Sequence, residues 1–234
     1  MKKNVDVMDI VRRVISALLA AAIFPAVYFL EFVYTQLGTG LSENTAMEWS
    51  ITIKRIVEIV TGKDPVSKII GFGKEAEEAF KWPSALDPVE NMITAFCICF
   101  AVLLVIALFL LLWSAISRNR IVPIAVGTLG VIGVFVMKYI FNQIAAPFLD
   151  GTINLLNIFS DGVIMSLVGG IVNIQFDILS LGTFRNAMII CFAAVALWNL
   201  LFILVEIGDE EAAAEKAARN AKKASKKASK KRKA

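Results

Sequence analysis

Four long apolar runs leave this chain little choice of environment. Val14–Val33 carries no charge until Glu31, and Asn91–Ser117 carries none. Ile121–Met137 is uncharged and continues past Lys138 to Leu149, and Asn186–Val205 is uncharged up to Glu206. A bilayer core of about 30 Å takes about 20 apolar residues as a helix, because its backbone must be hydrogen-bonded internally. The runs predict an all-α integral membrane protein with four transmembrane helices, at 14–34, 91–117, 121–146 and 186–207. Apolar residues make up 58% of the 234, which argues against a soluble enzyme or a compact basic nucleic-acid domain.

The bases fix an orientation. Lys2, Lys3, Arg12 and Arg13 precede the first run, and Arg118 and Arg120 fill the link between the second and third. Beyond the fourth run, Asp209–Ala234 holds 10 bases against 4 acids, leaving 14 bases and 16 acids before it. With four crossings all three basic groups fall on one side, and cytoplasmic flanks are the basic ones. The expectation is a plasma-membrane protein with residues 1–13 and the tail 208–234 both cytoplasmic. Met1-Lys2-Lys3 before an apolar run also suits a cleavable signal. However, the run continues through Phe24, Tyr28, Phe29 and Phe32 with no polar start behind Ala20–Ala22, so a retained signal-anchor is expected. Pro25 should kink this helix, having no N–H to donate.

Chemistry is narrowed by what is missing. The chain has no histidine, the usual general base at neutral pH and the commonest metal ligand. Cys97, Cys99 and Cys191 lie inside apolar runs without a second cysteine or histidine pair to complete a zinc site. No paired carboxylate at helical spacing within a span, and no nucleophile elbow, phosphate loop or dinucleotide fingerprint, is present. No enzyme activity, cofactor or metal is expected.

Some residues stand out for packing or polarity. Gly127, Gly130 and Gly133 mark a slanted groove on the third span, suited to close helix approach within the chain or between subunits; a gating hinge would share the signature. Asn199 is strongly polar well inside a span and is expected to bond a neighbouring helix. Glu31 and Lys138 sit at the outer interface, with Tyr28, Tyr34 and Tyr139 forming an aromatic girdle there, and form a candidate interfacial pair.

Two segments connect the spans on the outer side. Residues 35–90 carry 6 bases and 9 acids. Met47, Trp49, Ile53, Ile56, Val57 and Val60 suggest an amphipathic helix, Val66–Trp82 suggests a second, and Asp87-Pro88-Val89-Glu90 reads as a helix start with Asp87 as N-cap. These helices would lie in the interface with Trp49 and Trp82 as anchors, or fold as a cap. Residues 147–185 are apolar yet broken at Asp150-Gly151, Ser160-Asp161-Gly162, Gly169-Gly170 and Gly182. A fifth span at Gly162–Leu181 would move the basic tail outside, so a re-entrant or interfacial segment is expected. There Asn154, Asn157, Asn173 and Gln175 would line a pore or cavity.

The tail begins with acids and alanines that favour continuing the last helix. It ends in Lys222, Lys223, Lys226, Lys227, Lys230, Lys231, Arg232 and Lys233. Self-repulsion predicts a disordered repeat that anchors topology and contacts anionic lipid at the cytoplasmic face or a protein partner. Nucleic acid is not expected, since no aromatic platform accompanies the charge. Together these features predict a non-enzymatic oligomeric channel or pore subunit. The alternative is a membrane scaffold or assembly subunit of a larger complex, for example a secretion or conjugation machine, binding through the outer loop and tail.

Overall fold

A computed structural model describes residues 2–38, 46–60, 84–153 and 175–231. Within them the order is α1 (Lys2–Ala21), α2 (Ile23–Phe29), β1 (Glu31–Gly38), β2 (Ala46–Thr52) and α3 (Ile53–Val60). A 3-10 helix (Ser84–Val89) then leads into α4 (Glu90–Ile116), followed by α5 (Ile121–Leu149), β3 (Gln175–Leu181) and α6 (Phe184–Lys231). Four helical stretches are long and apolar enough to cross a membrane: Val7–Phe29, Leu86–Ile116, Ile121–Leu149 and Phe184–Gly208. At 1.5 Å per residue, α4 alone runs about 40 Å.

The four spans pack in cyclic order, each against two neighbours. Each contributes a stripe at helical spacing: Arg12, Ser16, Ala20, Ile23 and Val27; Leu103, Ala107, Leu110 and Ser114; Gly127, Gly130, Val134 and Met137; Met188, Phe192, Val195 and Asn199. These inward stripes are filled by side chains, while Leu18, Val105, Phe135 and Ile190 are more than half exposed on the outer surface. A bundle that is apolar on both its inside and its outside suits lipid rather than water as solvent.

Local chemistry explains the ends. Pro25 offers no N–H to the Ala21 carbonyl, and the first span breaks at Ala22 into α1 and α2. Asn119 Oδ1 accepts the N–H groups of Ile121 (2.9 Å) and Val122 (3.4 Å), satisfying two orphan donors at the start of α5. At its far end Gly151 takes φ 77°, a left-handed conformation that glycine adopts without strain. Asp150 Oδ1 accepts the Thr152 N–H at 2.9 Å. Hydrogen bonds from the side chain and backbone of Thr152 hold the Asp150 carboxyl below its ordinary range.

The sheet corrects the all-helical expectation. The fold is mainly helical, but β1, β2 and β3 form a three-stranded antiparallel sheet in the order β2-β1-β3. Its register sets Thr35 opposite both Trp49 and Leu179. The first apolar run therefore leaves the helix at Leu30, and its last residues are strand. Residues 46–52 also form a strand rather than the first turns of an amphipathic helix, which begins only at Ile53. Met47, Trp49 and Ile51 alternate with Glu48, Ser50 and Thr52, a period of two. Thr52 Oγ1 then accepts the Arg55 N–H at 3.1 Å and caps α3.

Other expectations meet different local structure. The start expected at Asp87 is realised as a 3-10 turn, with α4 beginning at Glu90. Gln175 opens β3, so at least 175–181 is strand and not part of a spanning helix. Val66–Trp82 lies outside the described residues, as do Asn154, Asn157 and Asn173. The tail backbone stays helical as far as Lys231 instead of becoming disordered; alanine and lysine are both good helix formers.

Candidate functional site

The bundle has three layers between the sheet end and the end where both termini emerge. At the sheet end the ring of Phe32, in β1, packs against Phe184 (ring centroids 4.8 Å), Phe100 (5.5 Å) and Phe96 (6.0 Å). A register irregularity between Glu31 and Val33 accompanies that placement. Beside it, Gly182 donates its N–H to the Phe32 carbonyl at 2.9 Å. A Cβ at Gly182 would lie 2.1 Å from the Glu31 carbonyl oxygen, so the strand-to-helix corner requires glycine.

The middle layer is the glycine seam. A Cβ on Gly130 would lie 2.5 Å from Phe192 Cδ1, and one on Gly127 would lie 2.9 Å from the Phe192 carbonyl oxygen. Gly133 faces α4 instead, where a Cβ would meet Leu103 Cδ2 at 2.7 Å. Within one chain, then, Gly127 and Gly130 admit α6 and Gly133 admits α4.

The layer at the termini end is polar. Arg12 is 1% exposed. Its Nε and Nη2 donate to Asp9 Oδ1 at 3.1 and 2.8 Å. Its Nη1 donates to Asn199 Oδ1 at 2.6 Å, and Nη2 also reaches the Arg118 carbonyl at 3.3 Å. Asn199 uses both amide hydrogens, toward Ser16 Oγ (2.9 Å) and the Val195 carbonyl (2.8 Å). The Trp198 indole N–H donates to the Arg12 carbonyl at 3.3 Å. A buried guanidinium survives here because a carboxylate neutralises it and further acceptors take its remaining hydrogens. The network ties α1 to α6 and to the link between α4 and α5. The buried Ser114 hydroxyl, at the same end of α4, has no hydrogen-bond partner.

Arg12, in sequence one more base flanking the first span, is the centre of this network. The available signal was spacing: Asp9, Arg12 and Ser16 fall on one helix face with Ala20, the face that turned inward. Asn199 is brought together with it. Glu31 and Lys138 are not paired: among the described residues no ion pair joins them, and Lys138 is exposed. Gln36 bridges Tyr34 and Glu48 on the sheet at 2.9 Å each, and Arg55 stacks over the half-exposed Trp49 ring at 5.6 Å. Lys222–Lys231 lie on the extension of α6.

Among the described residues no three cysteine or carboxylate side chains converge to hold a metal. The arrangement can lock helices together and present surfaces at either end of a bundle. No family model and no curated protein matches this chain. The class the fold defines is that of a polytopic membrane protein with four apolar helices.

Proposed function

We propose that this chain is a non-enzymatic assembly subunit of a membrane complex, a four-helix anchor with a binding surface at each end. The observation that carries this reading is the bundle interior. Leu103, Leu110, Val134, Met137 and Phe192 fill it at no more than 1% exposure, leaving no lumen among the described residues. The features that project are the three-stranded sheet at one end and, at the other, α6, which continues from Gly208 to Lys231. That extension reaches about 35 Å beyond the span. With bases gathered at the termini end, the positive-inside bias supports cytoplasmic termini and contact of the lysine repeat with anionic lipid or an acidic partner.

The oligomeric pore is the competing outcome, with its conduit lying between protomers. Purified full-length protein in liposomes is tested for ion and dye flux across a range of voltages, with oligomeric state measured alongside. The scaffold reading expects no flux, together with a discrete hetero-crosslink from photoreactive groups placed at Trp49 or Glu211 in native membranes. Flux proportional to reconstituted protein, with only self-crosslinks, would overturn it. Cysteines introduced at 161 and 234 report topology; an externally labelled 234 would overturn the orientation.

A further inference from the structure

The membrane-facing side of α1 and α4 holds a groove of about 300 Å3. Ala17, Leu18 and Ala21 line it from α1 and Leu111 and Ala115 from α4, with Arg13 and then Ile10 toward the termini end. It runs about 16 Å along the helix from Ile10 to Ala21. The walls are apolar, and the alanines leave them shallow in side chain. Leu18 is 64% exposed on the surface that faces hydrocarbon.

Arg13 gives this groove a chemical preference. Its Nη2 donates to the Ala115 carbonyl, which holds the guanidinium over the groove mouth. Its Nε–H is buried and meets no acceptor. Among the described residues no carboxylate is paired with Arg13, and Asp9, one turn away, is committed to Arg12. A guanidinium cannot discharge its proton to relieve this, and a buried donor left unpaired is costly. The unmatched charge calls for an anion at headgroup depth, attached to something that fills an apolar channel leading into the bilayer.

We infer that the α1–α4 groove is a binding site for one anionic phospholipid. The phosphate pairs with the Arg13 guanidinium at the groove mouth, and an acyl chain lies along Ala17 and Ala21. Arginine suits the task because its planar fork matches phosphate geometry. The site rests on the membrane reading but not on which side the termini face. It is separate from the diffuse attraction of the lysine repeat, since it selects by a fixed donor and a shaped wall.

The test is native mass spectrometry on the full chain, delipidated in neutral detergent. The protein is offered phosphatidylglycerol or phosphatidylcholine with the same acyl chains. Wild type is expected to retain a single phosphatidylglycerol with about tenfold preference, the size of one charge-assisted hydrogen bond. Arg13→Gln should lose most of that preference, whereas Ala17→Phe, which fills the channel, should lower retention of both lipids. Glycerol phosphate, which has no chain, should fail to displace the bound lipid. Helix content by circular dichroism checks that both variants fold; if one does not, the other together with Arg13→Lys, expected to keep part of the preference, carries the test. Equal retention of the two lipids by wild type, an undiminished preference in Arg13→Gln, or displacement by glycerol phosphate would each overturn the site.

Discussion

Substituting alanine along the glycine seam separates the three positions by what each new methyl group meets. At Gly130 it would lie 2.5, 2.7 and 2.8 Å from Phe192 Cδ1, Cγ and Cε1. Phe192 is fully buried, so the ring has nowhere to swing. At Gly133 the close atom is one methyl of the equally buried Leu103 at 2.7 Å, the next being at 3.6 Å, so a small shift of that side-chain end relieves it. A glycine-to-alanine change in a helix interior stabilises by up to about 1 kcal/mol, while overpacking a core costs about 1–3 kcal/mol. The difference predicts that Gly130→Ala destabilises by roughly 2 kcal/mol and that Gly133→Ala is roughly neutral or slightly stabilising. Gly127→Ala falls between, because the Phe192 carbonyl at 2.9 Å is backbone and the helices must separate slightly. Unfolding of purified protein in mixed micelles, followed by circular dichroism, measures all three. Phe192→Leu should recover part of the Gly130→Ala loss, with a coupling of about 1 kcal/mol or more. Equal costs at 130 and 133, or no coupling to Phe192, would refute the assignment of Gly130 to the α5–α6 contact.

Three further outcomes follow from the other layers. Asp9→Asn leaves Arg12 buried and unneutralised and should cost about 3 kcal/mol; Asp9→Asn with Arg12→Met should cost less than Asp9→Asn alone in the same unfolding assay. Gly182→Ala places a methyl group 2.1 Å from a backbone oxygen. It should rank among the exceptional losses above about 4 kcal/mol, read as lost strand signal and lost detergent-stable protein. The Asp150 carboxyl has a lowered pKa, so its bond to Thr152 stabilises the turn above the ordinary carboxylate range and is lost as pH falls through the lowered value. Protection of the Thr152 amide, its exchange rate measured against the intrinsic rate at each pH, should fall with acid in wild type, and Asp150→Asn should remove that acid dependence.

What the sequence determined by itself was where the chain can go. Uninterrupted apolar length admits only helices across a bilayer, and that requirement is local, so four apolar spanning helices were legible. The close-packing role of Gly127, Gly130 and Gly133 was legible for the same reason: a missing side chain is visible without knowing its partner. Tertiary structure decided the rest, because those features depend on partners far away in sequence. Glu31–Gly38 is strand rather than helix because it pairs with 46–52 and 175–181, and an apolar run does not record which backbone will come alongside it. Arg12 and Arg13 are neighbours of identical chemistry, yet one is 1% exposed among bonded partners and the other stands over a lipid-facing groove. About 100° of helix rotation separates them. Which of those directions faced Asn199, 187 residues away, was settled only when the four helices packed.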